Sequence, residues 1–361
     1  MQPHDRARAR TESPEVRLGE HLIGEHHRPF VLAEMSGNHN GDLDRALAIV
    51  DAVADSGAQG LKLQTYRADT ITIDSDRPEF RIGADHELWG GENLYRLYQR
   101  AHTPWEWHAE IFARGRERGL TVFSSPFDAT AIELLEDLDA PAYKIASAEI
   151  VDLPLIRLAA STGKPLVIST GTAQIGEIAA AVQAARDGGC EQLVVLGCTA
   201  SYPASPSDTN LRGLPMIGDL FDCVIGLSDH TLGIGVAVAS VAFGARLIEK
   251  HVTLSRADGG VDSAFSLEPQ ELAALATETE RAWQALGSPR IGPAQSEAQM
   301  LALRRSLYVV QDVRAGDEVT AENVRSIRPA GGLAPDLARV VVGRRFVQDV
   351  ARGTPLSWDL V

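Results

Sequence analysis

Short apolar runs alternate with helix-like patterns along most of the chain. The runs cover residues 30–34, 60–64, 121–124, 142–145, 165–169, 192–198, 224–228 and 246–250. Each is brief and apolar, as strands buried on both faces are. Between them, apolar residues recur at helical spacing over 43–56, 105–118, 129–138, 175–187, 234–243 and 269–286. Eight such units over roughly 260 residues predict an α/β fold of the (β/α)8 TIM-barrel type. An open doubly wound sheet is the alternative, but unbroken alternation of eight parallel strands favours closure. A polar segment, 68–102, interrupts the second unit and is predicted to lie over the barrel mouth, since long loops in compact domains usually serve function.

The pattern changes after residue 286. Gly287-Ser-Pro-Arg-Ile-Gly-Pro reads as a linker. Beyond it come β-like runs at 307–310 and 340–342, turn signals, and one short predicted helix, 320–324, with Thr320 as N-cap. The expected division is a disordered leader over 1–20, a barrel over 21–286, a linker over 287–304 and a small β-rich module over 305–361.

A formal net charge of -15 argues against nucleic acid and anionic membranes as partners. No apolar run approaches the ~18 residues of a membrane span. The polar, Arg-rich amino terminus lacks the apolar stretch of a secretory signal. Three cysteines, Cys190, Cys198 and Cys223, show no metal-binding spacing, which points to reduced thiols and a cytoplasmic location. Any anion site on so acidic a chain has to be made locally, by a few lysines.

Candidate chemistry gathers at the predicted carboxyl ends of the strands, where barrel active sites lie. His230 and His251 close two neighbouring runs. Parallel neighbours lie about 4.8 Å apart, so both imidazoles could hold one divalent ion at roughly 2.1 Å each. Two imidazoles leave coordination positions open, as catalytic sites do and structural ones do not. The other strand ends contribute Glu34, Lys62 and Gln64, Ser125, Lys144 with Ser147 and Glu149, Ser169, Cys198 through Tyr202, and Ser228. Taken alone, each has a plainer reading: a satisfied polar residue, or Lys62 paired with Glu34 and Lys144 with Glu149. Lysines beside several serines instead suit a phosphate or carboxylate clamp. A carboxylate beside a metal can orient water or carry a proton. Gly233-Ile-Gly235 followed by Ala is half of a dinucleotide fingerprint in the wrong unit, and reads as close helix–strand packing.

Ala33-Glu-Met-Ser-Gly-Asn-His-Asn-Gly41, Lys62-Leu-Gln-Thr65, Tyr143-Lys-Ile-Ala-Ser-Ala-Glu149, Gly226-Leu-Ser-Asp-His230 and Glu249-Lys-His-Val-Thr253 together resemble the sialic acid synthase family. Arg305-Ser-Leu-Tyr308 and Ile327-Arg-Pro329 resemble its carboxyl-terminal antifreeze-like (SAF, β-clip) domain. Leu88-Trp-Gly-Gly-Glu-Asn-Leu-Tyr95 and the segment ending at Trp107 look most like the pseudaminic acid synthase branch. The resemblance implies a C–C bond-forming transferase that condenses phosphoenolpyruvate with an amino-sugar aldehyde, 2,4-diacetamido-2,4,6-trideoxy-L-altrose in that branch. It implies His230 and His251 as ligands of a divalent ion (Mn2+, Mg2+ or Co2+). Lys62, Ser125, Lys144, Ser147, Ser169 and Ser228 correspond to the phosphoenolpyruvate pocket. Glu34 and Asp262 correspond to groups near the water and the sugar, and Arg328 to an arginine lent to a partner's site in a domain-swapped homodimer. Ala200 departs from the family's Asn after Cys-Thr, removing one potential phosphate donor. The alternatives are an N-acetylneuraminic or legionaminic acid synthase, a Schiff-base barrel aldolase working through Lys144 or Lys62, and a non-catalytic SAF-domain binding protein.

Overall fold

The computed structural model describes residues 13–84 and 88–361. They form two compact units that divide between Gly287 and Ser288.

In the first unit a two-stranded hairpin, β1 (Val16–Leu18) and β2 (His21–Ile23), precedes eight parallel strands. These are β3 (Phe30–Glu34), β4 (Gly60–Thr65), β5 (Thr121–Pro126), β6 (Tyr143–Ile145), β7 (Leu166–Ser169), β8 (Leu193–Cys198), β9 (Val224–Ser228) and β10 (Leu247–His251). They close into a barrel as β10 pairs with β3. Its connections carry α1 (Leu43–Asp55), α2 (Ala68–Ile71), α3 (Leu94–Ala101), α4 (His108–Glu117), α5 (Ala129–Asp137), α6 (Leu153–Ala160), α7 (Ile175–Asp187), α8 (Leu214–Phe221), α9 (Gly235–Val241) and α10 (Pro269–Leu286). Aspartates begin several of these helices. Asp42, Asp128 and Asp152 each accept from backbone N–H groups of the first turn, which otherwise lack partners. Among the described residues no helix is long and apolar enough to cross a membrane.

The alternation of side chains along each strand sorts the core into two layers. One set, including Val31, Ala33, Leu61, Leu63, Val195 and Ile248, packs outward against the helices. The other faces inward: Phe30, Leu32, Phe123, Ala142, Val167, Val194, Leu196, Val224 and Leu247. Val16, Leu18 and Ile23 of the hairpin join this inner cluster and are 2%, 0% and 0% exposed. Burying each is worth about 1.5–3 kcal/mol, so the hairpin is a stable floor to the barrel. The leader expected over 1–20 is corrected accordingly. Residues 1–12 lie outside those described, but Val16–Leu18 is a strand, because its alternate residues have an apolar barrel floor to cover.

In the second unit β11 (Ser306–Val309) pairs antiparallel with β12 (Val324–Ile327). Its core holds Leu307, Val309, Val319, Val341, Phe346 and Leu356. Two expectations fail here. Residues 320–323 form a turn in which Thr320 Oγ1 accepts from Glu322 and Asn323 N–H, and Val324 opens β12 opposite Val309. A one-turn helix cannot compete with a strand pair plus a buried valine. The run at 340–342 overlaps a short helix, Ala338–Val341, whose Val341 is buried.

Candidate active site

The inward positions that are apolar at the floor become polar toward the carboxyl rim. Phe30 and Leu32 are followed by Glu34, Ala142 by Lys144, Val167 by Ser169, and Leu247 by Glu249 and His251. At the centre is a web of buried ions. Lys62 Nζ contacts Glu34 Oε2 and lies 3.4 Å from Glu249 Oε2. Lys144 Nζ lies 3.2 Å from Glu249 Oε1, which also accepts from Ser228 Oγ at 2.8 Å. Gln64 Nε2 donates to Glu34 Oε1 at 2.8 Å. Burial works to raise the Glu249 carboxyl, yet Lys144 and Lys62 hold it well below the usual carboxylate range. Burial pulls Lys62 down, but the Glu249 and Glu34 carboxylates outweigh it and leave the ammonium raised. Lys144 is lowered, by burial first. Beside this web, the buried hydroxyls of Ser125 and Ser169 have no hydrogen-bond partner among the described residues. Unpaired buried donors are costly, and of the two Ser169 lines the cavity over this web, where an anion would engage it.

The two imidazoles lie at the rim with ring centroids 5.3 Å apart. His230 Nδ1 is 3.0 Å from Thr199 O. A carbonyl only accepts, so Nδ1 carries a proton and Nε2 is the nitrogen left to face a metal, the arrangement that orients metal-binding histidines. Burial, reinforced by His230, pushes His251 well below the ordinary range, so it is neutral. Its Nδ1 is buried without a hydrogen-bond partner, 3.7 Å from Asp262 Oδ2, and its Nε2 is 3.9 Å from Glu34 Oε2. Tyr202 packs on His230 and Phe265 on His251, at 4.5 and 5.0 Å between centroids. This donor set fits a divalent ion held by two imidazoles. Among the described residues no group of three or more His, Cys, Asp or Glu could hold one, so water and substrate would complete the coordination.

A cavity of about 460 Å³ opens over these groups. It brings together Glu34, Lys62, Gln64, Lys144, Ser147, Glu149, Ser169, Tyr202, Ser228, His230, His251 and Asp262. Ser125 is buried and does not line it, and Arg328 belongs to the second unit, just after β12. Ser147 accepts from Gly171 N–H and donates to Cys198 Sγ at 3.4 Å. Burial raises Glu149, whose Oε2 is unpartnered, and raises Asp262 to about 6, with Glu34 adding to it. The far wall is apolar. Ile71, Ile82, Leu94, Leu97 and Tyr98, all from the 68–102 insertion, face the cavity with Phe127.

Two sequence-level readings change. The plain partner of Lys144 is Glu249, not Glu149. Glu249 is the hub that residue-by-residue reading passes over, although it stands two positions before His251 and so shares its face. Polar strand-end residues of the opposite parity do not enter the cavity. Thr65 Oγ1 bonds Ser124 Oγ and His108 Nε2 at 2.7 and 2.9 Å, and Lys250 pairs with Asp229.

A closed (β/α)8 barrel that gathers lysines, carboxylates and serines beneath two histidines at its carboxyl rim has the layout of a barrel enzyme. The chain belongs to the NeuB family, whose model matches residues 49–290, and residues 304–361 match the SAF domain. It is 40% identical to a pseudaminic acid synthase of Helicobacter pylori over 92% of this chain and 97% of that one. It is 33% identical to an N,N'-diacetyllegionaminic acid synthase of Legionella pneumophila over 91% of this chain and 94% of that one. The crystal structure of the N-acetylneuraminic acid (sialic acid) synthetase of Leptospira borgpetersenii superimposes with a TM-score of 0.71 at 32% identity, covering 80% of this chain and 95% of that one.

Proposed function

We propose that the chain is a pseudaminic acid synthase, condensing phosphoenolpyruvate with 2,4-diacetamido-2,4,6-trideoxy-L-altrose to a nine-carbon 2-keto acid and phosphate. The observation that carries this is one cavity with a lysine–serine floor and an apolar wall under two histidines. The first suits a phosphorylated carboxylate, the second a sugar rich in methyl groups. The 40% identity to a named pseudaminic acid synthase supports the same choice.

Lys62 and Lys144 offset the charge of phosphoenolpyruvate, the free hydroxyl of Ser169 donates to its oxygens, and Ser147 and Ser228 do so by turning from Cys198 and Glu249, with Ser125 buried behind them. His230 and His251 would hold a divalent ion (Mn2+, Mg2+ or Co2+), which when bound supplies Lewis-acid polarisation of the sugar aldehyde. The enol carbon bonds to the aldehyde carbon, whose oxygen takes up a proton from Glu149, and the cation left at C2 is captured by water. Glu34, oriented by Gln64 and Lys62, positions that water and takes its proton. The tetrahedral product of that addition expels phosphate. Glu149 is the second group able to carry a proton in the same cavity. Tyr202 and Asp262 flank the sugar. The family resemblance supports Arg328 reaching a partner copy's site in a domain-swapped homodimer. The absence of disulfides among Cys190, Cys198 and Cys223 supports a cytoplasmic setting.

The test is phosphate release from phosphoenolpyruvate against a panel of sugars. The expected result is highest kcat/KM with the 2,4-diacetamido-6-deoxy L-altrose. Preference for N-acetylmannosamine or the legionaminic precursor would reassign the sugar. A borohydride-trapped adduct on Lys144 would replace the mechanism.

A further inference from the structure

Most of the site follows from strand parity, but Ser36 does not. It lies in the turn after β3, where Asn38 N–H donates to Met35 O at 3.1 Å. Its φ is +46° while Gly37, next in the turn, has no positive φ. A lone positive φ at that place in a turn is ordinarily filled by glycine, which has no Cβ to strain. Here a side chain is kept, and its hydroxyl donates to Asp262 Oδ2. Ser36 and Asp262 are 5% and 7% exposed, both line the cavity, and the same Oδ2 lies 3.7 Å from His251 Nδ1.

Strained residues persist where their surroundings hold them, and they gather at functional sites. The fold does not ask for this one. The turn's own hydrogen bond runs between the backbones of Met35 and Asn38 and would survive a glycine. We propose that Ser36 is a positioning residue whose hydroxyl aims the Asp262 carboxyl at the sugar substrate. This rests on the functional reading above, because it takes the Asp262 end of the cavity as the sugar's end.

Ser36→Gly separates the two roles, since it relaxes the backbone and removes the hydroxyl together. Its thermal midpoint is expected at or above that of the wild type. The sugar KM is expected to rise about tenfold, the loss of one hydrogen bond to a charged group, with the phosphoenolpyruvate KM unchanged. Ser36→Ala, which keeps Cβ, is expected to show the same kinetic split with a midpoint no higher than the wild type. A wild type that releases no phosphate with any sugar overturns the functional reading and this inference with it. An active wild type overturns the inference alone if both variants keep the wild-type sugar KM, weaken both substrates alike, or lose sugar binding together with thermal stability.

Discussion

Lys144 and Glu249 form a buried ion pair, Nζ to Oε1 at 3.2 Å with both side chains 2% exposed, and the same carboxylate also answers Lys62. On the function proposed above, Glu249 holds the two lysines in place of the substrate's negative charge. Removing one partner of a buried pair costs about 3–5 kcal/mol, so Glu249→Gln should lower the unfolding free energy by that order in denaturant titration. Inorganic phosphate should then stabilise the variant more than the wild type. Equal phosphate effects in the two proteins would mean that the anion does not meet these lysines.

His108 should set an acid limit on stability. It is buried, donates Nδ1–H to Pro104 O, and engages Thr65 Oγ1 through Nε2. Burial lowers it from 6.5 to about 4. Between pH 6.5 and 4 the unfolded chain therefore binds more protons than the folded one, and stability falls as pH is lowered through that window. The full contribution is about 3 kcal/mol. His108→Gln should flatten the unfolding free energy over pH 4–6.5, and an unchanged slope would assign the acid limit to other groups.

Activity should depend on a divalent ion. Dialysis against a chelator should abolish phosphate release, and Mn2+ should restore it in the wild type but not in His230→Ala or His251→Ala. Full activity in chelator would remove the ion from the mechanism.

Lys250 and Asp229 are 0% exposed in their side chains and pair at 3.1 Å behind the two histidines. Lys250→Met leaves Asp229 buried without its cation, at an expected cost of about 3–5 kcal/mol. Adding Asp229→Asn should recover much of it. A double variant no better than the single would place the cost in packing instead.

The apolar wall should read the sugar. Leu94→Asn puts a polar group where the 6-deoxy carbon or an acetamido methyl is expected. Discrimination of a hydroxyl by an apolar pocket is worth at most about a hundredfold. The ratio of kcat/KM for the 6-deoxy over the 6-hydroxy sugar should therefore fall about tenfold. No change in that ratio would move the methyl contacts to another wall.

The barrel is legible in the sequence because parallel strands buried on both faces leave continuous apolar runs, and β3 and β9 coincide with two of them. The hairpin at 16–23 is less legible, since three-residue strands carry almost no periodic signal. At the site, the lysines, serines and histidines can be found from their place at strand ends. Which of them face one another depends on parity, and that separates Glu249 from Lys250 and Ser125 from Ser124. The contact of Ser36 with Asp262 joins residues 226 positions apart through a turn whose φ no pattern reveals.

The hairpin that packs Val16, Leu18 and Ile23 into the barrel makes it a cup with a sealed base. Among the described residues, the cavity therefore lies at the end of the barrel opposite this base. On the function proposed above, phosphoenolpyruvate bound at the deeper lysines is expected to enter before the sugar that settles above it. The proposed nine-carbon product, longer than either reactant, would then leave past Trp89 and Tyr202, which line the same cavity.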